Sequence, residues 1–103
     1  MKTVLFHPEA DAEFIDATRY YERQAPGLGG IFLNEVLKAI NVIQENPEMF
    51  KPIGSGVRRK VLHRFPYSLL YAIESEKILI VAMMHQKRRP NYWQARLELL
   101  RID

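Results

Sequence analysis

The chain has 103 residues, 48% of them hydrophobic, no cysteine and a formal net charge of +3. Such a length and composition describe a single globular domain, residues 1–103, and exclude an unstructured tail. The missing cysteines exclude a disulfide framework and a thiolate metal site. No apolar run approaches the roughly 18 residues of a membrane span, and the first residues lack the long apolar region of a secretion signal, so a cytoplasmic protein is expected.

Thr3 to Phe6 is short, apolar and β-branched, which predicts a first strand. Pro8 then suits the first position of a helix, where its missing N–H is no loss, and Glu9 and Asp11 favour the positive end of the helix dipole. Ala10, Phe14, Ala17 and Tyr21 recur at helical spacing up to a break at Pro26-Gly27. A second helix begins around Leu28 to Ile31. Phe32, Val36, Ile40 and Ile43 form its stripe, Leu33 and Leu37 widen it, and Asn46-Pro47 stops it. The short PGLGG link favours an antiparallel pair.

Residues 47–56, with two prolines and two glycines, read as a loop. Val57 to Arg64 reads as a strand, with Arg58, Lys60 and Arg64 on one face and Arg59 and His63 on the other. Tyr67 to Ile73 and Lys77 to Met84, joined by Glu74-Ser75-Glu76, form a hairpin whose near-continuous apolar character predicts two central strands. Tyr92 to Leu100 suits a short terminal helix. The expected fold is α+β, in the order β-α-α-β-β-β with a C-terminal helix. A helical hairpin packs on one face of a small, mostly antiparallel sheet, and strand-borne bases show on the other.

Charge is distributed unevenly. Residues 1–48 carry eight acids and four bases, and residues 49–103 carry four acids and eleven bases. Acidic helices beside a basic sheet would explain the split, as would a surface for nucleic acid or an acidic protein. The basic half is densest where the apolar strand ends. From Lys77 to Arg96 there is no acid, and His85, Lys87, Arg88, Arg89, Tyr92, Trp93 and Arg96 follow closely.

Three stretches, YYERQAPGLGGIFLNEV, NPEMFKPIGSGVRRKVLHRFPYSLLYAI and VAMMHQKRRPNYWQAR, cover most of the chain and give it its family character. In these and in element order the chain resembles the RelE/ParE superfamily of toxins from type II toxin–antitoxin systems, most of all its ParE-like, plasmid-stabilisation branch. The resemblance implies two alternative activities. ParE-like members inhibit DNA gyrase by binding it and stabilise its cleaved complex with DNA. RelE-like members cleave messenger RNA on the ribosome. It also implies a cognate antitoxin that neutralises the toxin in a hetero-oligomer, with the toxin's own oligomeric state left open. No cofactor, metal or membrane is implied.

Metal-free RNA cleavage needs a base for the 2′-hydroxyl, an acid for the leaving oxygen and cations for the phosphorane. In RelE-like members these roles fall on lysines and an arginine of the middle strands, an arginine after the last strand and a C-terminal tyrosine. Here the resemblance matches Arg88 to the last arginine and places Tyr92 near the tyrosine. The strand positions fall on Arg59, which stays protonated, and on Val61 and Ser68. Most of the nuclease set is missing, which favours a gyrase inhibitor over an enzyme. His85, Arg88 and Tyr92 remain the catalytic candidates of the alternative reading. Arg58, Arg59, Lys60, Arg64, Lys87, Arg88, Arg89, Trp93 and Arg96 are the candidates for binding a target or nucleic acid. Each has a plainer explanation. His85 can simply end a buried strand, the strand bases can be solvated, and Tyr92 and Trp93 can close the core over the sheet. A third reading is an inactive homologue that only binds its antitoxin. His7, His63 and His85 are separated and lack paired carboxylates, so no metal site is expected.

Overall fold

The computed structural model describes residues 1–101, with the side chains of residues 1–97. Its elements are β1 (Thr3–Phe6), α1 (Pro8–Gln24), α2 (Leu28–Glu45), β2 (Lys51–Gly54), β3 (Val57–Val61), β4 (Tyr67–Ile73), β5 (Lys77–His85) and α3 (Gln94–Arg101). The strands form one sheet in the order β1-β5-β4-β3-β2. β1 runs parallel to β5 and the other pairs are antiparallel. The two apolar strands β5 and β4 are interior, as their composition predicts.

Local chemistry explains the helical hairpin. His7 caps α1, its Nδ1 accepting the Glu9 backbone N–H at 3.0 Å, and Pro8 takes the first turn. The Glu22 carboxylate accepts from the backbone N–H groups of Gly27 and Gly29, both at 3.0 Å, and so joins the end of α1 to the start of α2. A β-carbon at position 29 would stand 2.9 Å from the Thr18 carbonyl oxygen, so this close crossing requires glycine.

The core lies in two layers, one on each face of the sheet. Under α1 and α2, Ala10, Ala17, Phe32, Val36 and Ile43 pack on Leu69, Tyr71, Ile78, Ile80 and Met83. Phe32, Tyr21 and Phe65 form a ring cluster there, with centroids 4.8–5.1 Å apart. Leu33 and Leu37, expected to widen the stripe, are exposed instead. Trp93 and Leu97 cover the opposite face, packing on Val57, Leu70, Ala72, Leu79, Val81 and Met84.

Three further expectations change. Residues 51–54 are an edge strand rather than loop. An edge position tolerates Pro52, and positive φ at Gly54, Ser55 and Gly56 makes the turn into β3. β3 stops at Val61, because Leu62 turns into the core, so Arg64 stands in the exposed connection to β4. The face opposite the hairpin does not carry an open row of strand-borne bases, since Trp93 and α3 cover most of it and leave only Arg59 there, half-buried. Arg58 and Lys60 pair with Tyr71 and Leu69 on the hairpin side, and Arg59 pairs with Leu70 on the other.

Candidate functional site

The basic end of the sheet is built around a carboxylate from α1. Glu13 Oε1 accepts from the Met83 backbone N–H at 3.1 Å and from Arg96 Nη1 at 2.9 Å. Its Oε2 accepts from the Tyr92 hydroxyl and from Arg96 Nη2, both at 2.8 Å. Arg96 also donates to the Val81 carbonyl at 2.9 Å and stands 3.5 Å from Glu9. A bidentate arginine–carboxylate pair of this kind fixes geometry as well as charge. Here it fastens the C-terminal stretch to α1 and β5. Burial pushes the Tyr92 phenol well above its ordinary value, and the hydrogen bond to Glu13 pushes it further.

The Tyr92 ring in turn supports Arg88, whose guanidinium carbon lies 4.0 Å from the ring centroid. Beside them, at the end of β5, His85 packs edge-on against Tyr67 with ring centroids 5.0 Å apart, and its Nδ1 accepts the Lys87 backbone N–H at 3.0 Å. His85, Arg88 and Tyr92 therefore meet, and they line a cavity of about 370 Å³ together with Tyr20, Arg23 and Tyr67. Lys87 and Arg89 are exposed on the same turn.

The remaining candidates are elsewhere or occupied. Arg58 donates to the Glu48 and Phe50 carbonyls at 2.9 and 2.8 Å and ties down the loop after α2. Lys60 lies over the Phe50 ring at 5.1 Å. Arg59 Nε donates to Ser68 Oγ at 2.9 Å. Arg64 is exposed, and its backbone N–H, like that of His63, donates to Glu35 at 3.0 Å. Trp93 is 1% exposed, with its indole N–H donating to the Pro90 carbonyl at 2.9 Å, and Arg96 is 7% exposed. Expected as contact residues, these two are internal. The indole fills the second core layer, and the guanidinium is used up by Glu13.

Of the positions that the RelE-like pattern would fill, the strand ones lie together and Arg88 reaches their side, whereas His85, which is outside that pattern, is across the sheet. Arg59, Val61 and Ser68 share the face under Trp93, since they pair with Leu70, Ser68 and Met84. His85 pairs with Tyr67 on the hairpin face. A smaller cavity of about 220 Å³ on the Trp93 side includes Arg59, Met84, Gln86 and Arg88, and among the described residues the two arginines are its titratable groups. Among the described residues no group of three or more histidines and acids could hold a metal ion.

Sequence reasoning missed the contribution of α1, namely Glu13, Tyr20 and Arg23. Glu9, Glu13 and Tyr20 do recur near helical spacing, which marks a shared face. Nothing local distinguishes Glu13 from Glu9, Asp11 or Asp16, because its partners lie seventy and more residues away.

Comparison with known proteins agrees with this architecture. The model of the ParE toxin of the type II toxin–antitoxin system parDE matches residues 4–90. No curated protein sequence matches significantly. Among solved structures, a chain of the chromosomal ParDE toxin–antitoxin system from P. aeruginosa superposes with a TM-score of 0.73 at 19% identity, covering 82% of this chain and 96% of that one. At that identity the superposition speaks for the fold: a helical hairpin on a five-stranded, mostly antiparallel sheet with a short C-terminal helix. The family match extends over the hairpin, the whole sheet and the turn bearing Arg88, and by it the chain belongs to the ParE toxins of type II toxin–antitoxin systems, a family that implies a cognate antitoxin.

Proposed function

We propose that the chain acts as a toxin that inhibits DNA gyrase by binding it, with no catalytic step of its own, and that its antitoxin silences it. The supporting observation is that the sheet parts the histidine from the strand positions of the RelE-like pattern, which themselves hold no general base. His85 stands on one face and Arg59, Val61 and Ser68 on the other. Tyr92 holds its proton against Glu13 and is poorly suited to give it to a leaving oxygen. What is left at the surface is a fixed cationic turn, Lys87-Arg88-Arg89, carried on an interior strand and braced through Tyr92. A fixed cationic turn serves recognition of an acidic partner or of protein-bound DNA.

Expression without antitoxin tests the reading in cells. The expected result is growth arrest with chromosomal DNA breaks and intact messenger RNA, relieved by co-expression of the antitoxin. Arrest with messenger RNA cut inside codons would point instead to an interferase. The observation favouring that second reading is the convergence of His85, Arg88 and Tyr92 on one cavity. It predicts that His85→Ala lowers RNA cleavage by about 10² or more. Normal growth with antitoxin binding retained would identify an inactive homologue.

A further inference from the structure

The cavity between α1 and the end of β5 collects donors that the fold does not use. Arg23 and Arg88 line it, and among the described residues neither guanidinium has a hydrogen bond or an ion pair. His85 accepts at Nδ1, so its neutral ring carries the proton on Nε2, where no described group meets it. The hydroxyls of Tyr20 and Tyr67 likewise have no described hydrogen-bond partner. Glu13 lies in the same wall, but both its oxygens are taken by Tyr92, Arg96 and Met83. Asp16 is the other carboxylate of the lining. Two cations and several neutral donors therefore face a space with one free acid. The floor is apolar, made by Ala17 and Met83, and three of the walls are phenol rings.

We infer that this cavity binds a nucleotide, free or as one unit of a single strand, with the base against Tyr20 and Tyr67 and the phosphate between Arg23 and Arg88. An acidic side chain of a protein would use the guanidinium groups but leave the aromatic walls without a ligand surface. A nucleotide uses both, since every base offers a face for stacking and arginine suits phosphate. A volume of about 370 Å³ lies within the range of small-molecule sites. Binding needs no proton transfer, so it does not require the nuclease set that this chain lacks. Asp16, the free carboxylate of the lining, can accept from an exocyclic amine of the base.

The test is fluorescence anisotropy of a short fluorescein-labelled single strand with the purified chain. AMP and ribose 5-phosphate are used in turn as competitors. The strand is expected to bind, and AMP to compete at least about tenfold better than ribose 5-phosphate, the scale of one base stacked on an aromatic ring. Arg23→Ala and Tyr20→Ala each weaken binding by about tenfold. Both side chains are exposed, so neither change opens the core. Lys51→Ala removes the same charge from the edge strand β2 and leaves binding within about twofold. A strand that binds more tightly than AMP assigns the site to nucleic acid, and equal affinity assigns it to the free nucleotide. Equal competition by ribose 5-phosphate and AMP would overturn the proposal, as would equal losses from Lys51→Ala and Arg23→Ala. Gyrase is absent from the measurement, so its outcome and that of the gyrase reading are separate.

Discussion

The two faces of the sheet are closed by different means. Beneath α1 and α2 the cover is long and redundant, with Phe32, Val36, Ala39 and Ile43 all buried on one helix alone. On the other face the cover rests on Trp93, in the turn before α3, and on Leu97 of α3, a stretch that Glu13 fastens through Arg96 and Tyr92. Stability and function are coupled on only one of these faces. The hairpin face draws its energy from repeated burial, about 25 cal/mol per Å² of apolar surface. The α3 face depends on one indole and on the pairing of Arg96 with α1, chiefly through Glu13, and the same carboxylate holds the ring on which Arg88 rests.

The largest effect is expected at Trp93. Replacing it with alanine empties the centre of the second layer, and a loss of about 3–5 kcal/mol is expected in urea unfolding. Hydrogen exchange should speed up on the Trp93 side of the sheet while α1 and α2 keep their protection relative to each other. Uniform loss of protection on both faces would show that the two covers are not separable.

Glu13→Ala comes next. It leaves Arg96 buried without its bidentate partner, and removing one member of a buried pair costs about 3 kcal/mol or more. Because Glu13 and Arg96 act together, the double variant Glu13→Ala/Arg96→Leu should lose less than the sum of the single changes. Additive losses in that cycle would mean the two do not work as a unit.

On the hairpin side, Gly29→Ala drives a β-carbon against the Thr18 carbonyl oxygen. The helices must then separate, at about 2 kcal/mol, the ordinary scale of overpacking. Gly30→Ala, where a β-carbon meets nothing within 4 Å, is the control and should be neutral or slightly stabilising.

The smallest effect is at Tyr92. Tyr92→Phe keeps the ring under Arg88 and removes the bond to Glu13, for a loss of about 1.5 kcal/mol. It also has a signature in pH. Burial, then the bond to Glu13, raises the folded phenol above its ordinary value of 10.0. A group raised on folding contributes stability that is fully present below the unfolded value and is lost as pH rises through the folded one. Unfolding free energy should therefore fall above pH 10.0 more steeply in the parent than in Tyr92→Phe. Parallel curves would remove Tyr92 from the clamp.

Much of the fold is legible in the residues because its causes are local or periodic. Phe32 and Val36 recur at helical spacing and are both buried, and the unbroken run from Ile78 to Met84 is an interior strand. β2 escapes such reasoning because Pro52 and Gly54 are breakers in most settings, and an edge strand is the setting that admits them. The site was legible in part. The bases after β5 stand out by charge, and His85, Arg88 and Tyr92 do come together. Their anchor does not stand out, because Glu13 acquires its partners only when the chain returns to α1 after some eighty residues. Trp93 and Arg96 sit among basic and aromatic neighbours in sequence, and only the packing of α3 turns them inward.

The most direct test of the account is supercoiling by purified gyrase in the presence of the parent chain and of Arg88→Ala/Arg89→Ala. Thermal unfolding of each protein checks that both are folded. The parent is expected to block supercoiling and accumulate cleaved DNA, and the double variant to be weaker by about tenfold or more, the scale of losing close charge pairs at a docked surface. A folded parent that leaves supercoiling untouched would contradict the gyrase reading. Full potency in the double variant would contradict the placement of the working surface at the end of β5.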